Sequence, residues 1–159
     1  MFEHRRPVRW SDVDAAGIVY FPRFLDYCHD AIEALFGALP GGYPALTMQR
    51  RIGVPTVHLE ADFRAPLRYG DTCLVCLEVG HLGGKSVRFR HTLLREGDRT
   101  MCAVIGHVVA TTDLDRLRAV PIPDDARALL ERHLIDGGGG QALPRAGSPP
   151  GSPPPPRSR

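Results

Sequence analysis

Residues 11–36 read SDVDAAGIVYFPRFLDYCHDAIEALF, and this stretch decides the fold. Its second half carries apolar residues at the i, i+3, i+4, i+7 spacing of one helix face. Those residues are Phe21, Phe24, Leu25, Cys28, Ile32, Leu35 and Phe36. Pro22 suits the first position of a helix, and Gly37 is expected to end it. The sequence therefore predicts one long helix over residues 21–36 with a buried apolar face.

The turn before this helix is a candidate site for chemistry. It carries two carboxylates, Asp12 and Asp14, and Gly17 can adopt a positive φ or approach a ligand closely. The first turn of a helix leaves backbone N–H groups without partners, and together with the helix dipole they favour a negative charge. An aspartate in this position also commonly forms a turn or caps the helix. The residues alone therefore leave both roles open for Asp14.

The nine residues Asp14–Pro22, which follow Asp12, resemble the active-site segment of hot-dog-fold acyl-CoA thioesterases, in particular the 4-hydroxybenzoyl-CoA thioesterase type. The resemblance implies that the second acid of the pair, Asp14, is catalytic, whereas Asp12 is interpreted as a turn or hydrogen-bonding residue. Asp14 would attack the thioester carbonyl carbon or deprotonate a water that does so. The backbone N–H of Phe21 would stabilise the oxyanion that develops.

The resemblance extends to further positions that would contact the acyl group. Gly53-Val54-Pro55 matches a segment that meets the partner subunit's active site in the family, although Val54 lacks the hydroxyl group of the threonine that the family tends to have there. Tyr20 and Phe21 would bring aromatic surface next to the thioester carbonyl. Their alternative role is to pack the start of the helix onto the core.

Two cations are expected from the same resemblance to bind the phosphates of coenzyme A. They are Lys85, the only lysine of the chain, and Arg118. Two neighbouring arginines of the family are replaced here by Gly83 and Gly84, which predicts nucleotide binding that is weaker or differently arranged. The alternative for Lys85 and Arg118 is an ordinary solvated charge.

The rest of the chain predicts an α+β domain. A strand is expected over Phe2–Trp10, with Pro7 favouring an edge position, and residues 37–51 are expected to form a loop. Four strands in hairpin succession and a short helix capped by Asp124 follow: 53–65, 72–81, 85–96, 99–112 and the helix 125–134. This order predicts one long helix against an antiparallel sheet.

The resemblance agrees with this architecture, since the hot-dog fold wraps a curved sheet around a central helix. Such a sheet leaves an edge strand exposed, which favours pairing with a second copy. In the family the active sites lie at a dimer interface, and dimers pair into tetramers. The resemblance therefore implies a homodimer that pairs into a homotetramer.

The composition changes after Asp136. Of the 23 residues from Gly137 to Arg159, sixteen are Gly, Pro or Ser. Such a stretch cannot bury enough apolar surface to offset its ordering entropy. The sequence therefore predicts a thioesterase domain over residues 1–136 and a disordered tail over residues 137–159.

Composition also argues against several kinds of partner. The net charge of +2 gives no nucleic-acid footprint, and no apolar run approaches the roughly 18 residues that span a membrane. Four cysteines without a signal segment at the polar N-terminus indicate a reduced, cytoplasmic setting. Cys73 and Cys76 have metal-like spacing but lack a second pair of ligands. No metal and no cofactor are expected.

The leading hypothesis is an acyl-CoA thioesterase for an aromatic acyl group such as benzoyl or hydroxybenzoyl. Relatives that act on short- or medium-chain aliphatic acyl-CoA carry a His where this chain has Phe21-Pro22, which favours the aromatic branch over that alternative. A second alternative is a non-catalytic hot-dog subunit that binds an acyl-CoA or an acyl-carrier protein. Asp14 argues against it, because a pure binder has no use for a carboxylate facing a thioester.

Overall fold

The computed structural model describes residues 1–135, which form two antiparallel sheets and one long helix. The main sheet has five strands in the order β1-β4-β5-β6-β3, and a small sheet has the order β2-β7-β8. The strands are Phe2–Pro7 (β1), Ile52–Gly53 (β2), Thr56–Phe63 (β3), Thr72–Leu82 (β4), Ser86–Arg95 (β5), Met101–Ala110 (β6), Thr112–Asp113 (β7) and Arg118–Ala119 (β8). The helices are Arg23–Phe36 (α1), the single turn Gly42–Pro44 (α2) and Asp124–Glu131 (α3), with a π-helical turn at Ala45–Gln49.

The long helix α1 packs against β1 and β4 of the main sheet. Five residues of the predicted apolar face are buried: Phe24, Cys28, Ile32, Leu35 and Phe36. Leu25 is partly buried, and Phe21, which precedes the helix, is 58% exposed. Tyr27, which the spacing did not include, is completely buried. The buried residues join a single core with the inward residues of the central strands, such as Val75 and Phe89. Hydrophobic burial thus fixes where the start of α1, and the turn before it, sit on the sheet.

The helix ends agree with the sequence to within two residues. Pro22 has helical dihedral angles but stands just before α1, which begins at Arg23 rather than at Phe21. Gly37 ends the helix, and its N–H donates to the carbonyls of Glu33 (2.9 Å) and Ala34 (3.2 Å).

Strand pairing differs from the predicted hairpin succession at one place. β3 pairs with β6, at the opposite edge of the sheet from β1, and does not form a hairpin with β4. Pro55 has no N–H to donate, and the predicted strand over 53–65 is accordingly divided into β2 and β3. β1 is an edge strand, as Pro7 predicted.

The loop prediction for residues 37–51 is wrong in its second half. Residues 42–49 form α2 and the π-helical turn, because Ala45 and Leu46 are apolar and become buried against the core. Gly41 and Gly42 supply the left-handed dihedral angles that lead into these turns.

The helix α3 begins at Asp124, with Pro123 rather than Asp124 in the capping position, and ends before Leu134. Leu134, the last residue of the predicted helix, lies beyond α3, is 45% exposed and forms a parallel bridge with Val79 of β4. The predicted tail over residues 137–159 lies outside the described residues. Within residues 1–135 no helix is both long enough and apolar enough to cross a bilayer.

Candidate active site

Asp14 lies in a tight turn that exposes its carboxylate. The turn is closed by an isolated bridge between Val13 and Val19, and the Asp14 N–H donates to the carbonyl of Ile18 at 2.9 Å. The Oδ1 atom of Asp14 accepts the N–H of Ala16 at 2.8 Å, whereas its Oδ2 atom accepts no hydrogen bond from any of residues 1–135. One oxygen of Asp14 therefore stabilises the turn, and the other is available to solvent or a ligand.

Gly17 makes this turn possible. Its φ of 72° lies in the left-handed region, which L side chains rarely adopt. Its N–H donates to the Asp14 carbonyl at 2.9 Å, and no atom lies within 4 Å of where a Cβ would stand. The space above Gly17 is open, so a ligand can approach the backbone next to Asp14.

Asp12 has the opposite environment, because its side chain is buried and its hydrogen bonds are satisfied within the protein. Its Oδ2 atom accepts the N–H of Arg9 at 2.9 Å and the hydroxyl of Tyr27 at 3.0 Å. Burial, and then this hydrogen bond, raise the pKa of Tyr27 well above its usual value. Asp12 thus joins the turn to the first half of α1, in the hydrogen-bonding role that the sequence indicated.

The backbone N–H of Phe21 is a free donor at the start of α1. The N–H groups on either side are used: that of Val19 donates to Leu67, that of Tyr20 to Asp12, and that of Arg23 to Tyr20. Pro22 has no N–H, and the Phe21 N–H donates to no acceptor in residues 1–135. The positive end of the helix dipole therefore presents one unpaired donor next to the Asp14 turn.

Aromatic side chains surround this donor. Phe21 is 58% exposed, and its ring lies 5.2 Å from that of Tyr20 and 6.2 Å from that of Phe63 on the edge strand β3. Phe63 also contacts Phe24 of α1, at 5.4 Å between ring centroids. The ring of Phe21 is therefore not buried in the core, and its exposed part remains available to a ligand or a partner.

Asp14 and Gly17 line a cleft of about 430 Å³ whose other walls include Trp10 and Tyr69. These two rings meet edge to face at 5.6 Å, and both are largely exposed. Sequence reasoning missed Trp10, Tyr69 and Phe63 as neighbours of the site. Trp10 directly precedes residues 11–36 in the sequence and could have been noticed. Tyr69 and Phe63 lie next to this segment only because residues far apart in the sequence pack together.

Lys85 and Arg118 lie at the other end of the molecule. The Lys85 Nζ atom donates to the carbonyl of Ala119, the residue after Arg118, at 3.3 Å. Tyr69 and Leu67, which adjoin the Asp14 turn, precede β4, whereas Lys85 follows it. β4 has eleven residues, and at about 3.3 Å per residue its two ends stand about 30 Å apart. A single chain therefore brings Lys85 and Arg118 together but separates both from Asp14.

Val54 also lies away from Asp14 within one chain. It lines a narrow, apolar cavity with Phe36, Val87 and Ile122, and packs against the main core. Of the expected site residues, one chain places Asp14, Gly17, Tyr20 and Phe21 in the single segment that leads into α1.

Comparison with known proteins identifies the family. Residues 8–130 match the model of the thioesterase-like superfamily. The chain is 31% identical over 137 residues to the 1,4-dihydroxy-2-naphthoyl-CoA hydrolase of Synechococcus sp. (strain CC9605), a match that covers 81% of this chain and 89% of the relative. It is 32% identical over 130 residues to the hydrolase of the same name from Thermosynechococcus vestitus, covering 81% and 88%.

Solved structures agree with the sequence matches. A thioesterase superfamily protein from Jannaschia sp. CCS1 superposes with a TM-score of 0.77 at 32% identity, covering 84% of this chain and 93% of that one. A 1,4-dihydroxy-2-naphthoyl-CoA thioesterase from Synechocystis superposes with a TM-score of 0.74 at 25% identity, covering 81% and 94%. The chain therefore belongs to the thioesterase-like superfamily and is an acyl-CoA thioesterase of the hot-dog fold.

Proposed function

We propose that this thioesterase hydrolyses an aromatic acyl-CoA to the free acid and coenzyme A, with Asp14 as the catalytic residue. The observation that carries the proposal is that two groups in the exposed segment 14–21, the Oδ2 atom of Asp14 and the N–H of Phe21, have no hydrogen-bond partner in residues 1–135. The rings of Tyr20, Phe21 and Phe63 around that N–H suit an aromatic acyl group, since aromatic pairs gain energy from edge-to-face contact. The names of the relatives, which are naphthoyl-CoA hydrolases, support the same class.

The chemistry follows from these two groups. The thioester oxygen accepts the Phe21 N–H, and the donor strengthens its contact as negative charge develops; such a donor is worth about 3–4 kcal/mol in known hydrolases. The Asp14 carboxylate attacks the carbonyl carbon, the C–S bond breaks, CoA leaves as a thiolate that takes up a proton, and water hydrolyses the mixed anhydride. In the alternative course Asp14 takes a proton from the water that attacks the thioester directly.

The complete site requires a second copy of the chain. The residues beside the Asp14 turn precede β4 and Lys85 follows it, and the length of this strand, about 30 Å, exceeds that of the pantetheine arm of one coenzyme A. A homodimer brings the two parts of the site together, because one copy supplies Asp14 and its partner supplies the cations and Val54. We place the interface on the edge strand β3 and the adjacent start of α1, where Val57, Phe63 and Phe21 expose apolar surface. Further pairing of dimers gives the homotetramer expected from the resemblance.

The test is thiol release from a panel of esters by wild type and by Asp14→Asn. The panel holds benzoyl-CoA, 4-hydroxybenzoyl-CoA, 1,4-dihydroxy-2-naphthoyl-CoA, hexanoyl-CoA and palmitoyl-CoA. We expect kcat/KM to favour the aromatic esters, and Asp14→Asn to lower kcat by at least about a thousandfold, as removal of a catalytic group does in other hydrolases. The control is Glu3→Gln, which makes the same chemical change on an exposed residue of β1 and should retain wild-type activity.

Three results would contradict the proposal. Faster turnover of hexanoyl-CoA would favour the aliphatic alternative and leave Asp14 in place. Full activity of Asp14→Asn would reduce Asp14 to a turn residue. Binding of acyl-CoA without turnover by wild type would favour a non-catalytic binding subunit.

A further inference from the structure

The turn Gly83–Gly84, between β4 and β5, is held by two later segments of the chain. The Nη2 atom of Arg127, on α3, donates to the carbonyl of Gly83 at 2.6 Å. The N–H of Ile122 donates to the carbonyl of Gly84 at 3.0 Å. The Lys85 Nζ atom, directly after the turn, donates to the carbonyl of Ala119 at 3.3 Å. These contacts bring Lys85 and Arg127 to one turn, and Arg118 is the residue before the Ala119 carbonyl that Lys85 contacts.

These three cations are not neutralised inside the chain. Within residues 1–135 none of them forms an ion pair with a carboxylate. Two acids of the neighbouring segments pair with other arginines, Asp125 with Arg50 at 2.7 Å and Asp115 with Arg51 at 2.9 Å. Like charges held close together repel unless an anion joins them, so the cluster is suited to a multiply charged anion.

The two glycines leave room for that anion. No atom lies within 4 Å of where a Cβ on Gly84 would stand. Glycines stand at residues 83 and 84, where the family that the sequence resembles has arginines, and Arg127 reaches the same turn from α3. Only Nη2 of its guanidinium group is occupied by Gly83 in the described residues, so other N–H groups remain to bind phosphate.

We propose that Arg127 is a phosphate-binding residue that joins Lys85 and Arg118 in recognising the nucleotide end of the acyl-CoA substrate. This inference rests on the proposed function for the identity of the ligand. Arg127 determines specificity for the phosphorylated carrier: it contributes to ground-state binding of the nucleotide and takes no part in the chemistry at Asp14.

The test separates the charge of Arg127 from its structural contact with Gly83. Arg127→Gln removes the charge and leaves a shorter side chain with an N–H donor, whereas Arg127→Lys keeps the charge at the end of a long side chain. The matched control is Arg132→Gln, an exposed arginine just past the end of the same helix. Each variant is assayed with benzoyl-CoA and with benzoyl-pantetheine, which carries the same thioester without the nucleotide, and its Kd for free coenzyme A is measured by calorimetry.

We expect Arg127→Gln to raise KM for benzoyl-CoA and Kd for coenzyme A about tenfold, the effect of losing one charge-assisted contact, with kcat unchanged. Its kinetics with benzoyl-pantetheine should equal those of wild type. Arg127→Lys should retain most of the preference for the CoA ester, and raised salt should narrow the difference between wild type and Arg127→Gln.

Equal effects of Arg127→Gln on the two esters would overturn the inference and leave Arg127 only its structural contact with Gly83. The inference would also be overturned if Arg132→Gln raised KM for benzoyl-CoA as much as Arg127→Gln does. A lower Tm for Arg127→Gln and Arg127→Lys alike, without a change in discrimination, would overturn it too. If wild type hydrolyses benzoyl-CoA but Arg127→Gln leaves the Kd for coenzyme A unchanged, only this inference fails. If coenzyme A binding depends on Arg127 but no aromatic ester is hydrolysed, the proposed function fails and the phosphate site stands.

Discussion

Asp12 and Asp14 are separated by one residue, but their surroundings differ and suit them to different roles. Asp12 is 4% exposed, and its carboxylate accepts hydrogen bonds from the Arg9 N–H and the Tyr27 hydroxyl. Asp14 is exposed, and its Oδ2 atom accepts no hydrogen bond from residues 1–135. A buried carboxylate with fixed donors holds structure, and an exposed one beside an unpaired N–H can meet a substrate. The sequence motif identified the pair, but only the fold shows which carboxylate is buried.

The structural role of Asp12 predicts a loss of stability on truncation. Asp12→Ala leaves the Tyr27 hydroxyl and the Arg9 N–H without their buried acceptor, which should lower the free energy of unfolding by about 2–3 kcal/mol. Urea denaturation followed by circular dichroism measures it. Tyr27→Phe removes only one of these hydrogen bonds and should cost about 1 kcal/mol. An Asp12→Ala protein of wild-type stability that had lost its activity would show instead that Asp12 is catalytic.

His91 predicts how stability depends on pH. Its ring is completely buried on β5, and burial first, then the neighbouring His107, lower its pKa to about 3. The unfolded chain binds this proton near pH 6.5, so the folded state loses stability as the pH falls from about 6.5 towards 3, by up to about 1.4 kcal/mol per pH unit. Unfolding of His91→Leu should show a flatter dependence over this range. The exposed His81→Leu is the control, and an unchanged slope in His91→Leu would exclude His91 as the source.

At the scale of elements, the periodicity of apolar residues was sufficient to predict helices and strands that depend on residues close together in the sequence. The bounds of α1 and β5 were predicted to within two residues, because each pattern reflects burial on one side of an element. The pairing partner of β3 was predicted wrongly, since its pairing with β6 joins residues 40 to 53 positions apart, from Phe63 with Ala103 to Thr56 with Val109. For the same reason the contact of Arg127 with Gly83, 44 residues earlier, left no signal in the sequence.

The edge strand β3 is the element on which assembly should depend. Val57 is 60% exposed on this strand, and a charge there would have to be desolvated in a dimer interface. We expect Val57→Asp to shift the protein from dimer or tetramer to monomer in size-exclusion chromatography with light scattering, and to lose thioesterase activity with it. Glu3→Lys places a new charge on the opposite edge strand, β1, and should leave the assembly intact. A wild-type protein that is monomeric at micromolar concentration would contradict the shared site.

At the scale of the whole molecule, a shared site predicts that two inactive variants restore each other. Asp14→Asn lacks the carboxylate, and Lys85→Glu combined with Arg118→Glu lacks the phosphate cations; each alone should show little activity with benzoyl-CoA. When the two are unfolded, mixed in equal amounts and refolded, half of the dimers contain one copy of each. One of the two sites in such a dimer combines an intact Asp14 with intact cations, so activity should return to about a quarter of wild type. Mixing without unfolding is the control for exchange, and no recovery after verified formation of mixed dimers would mean that each chain builds its own site.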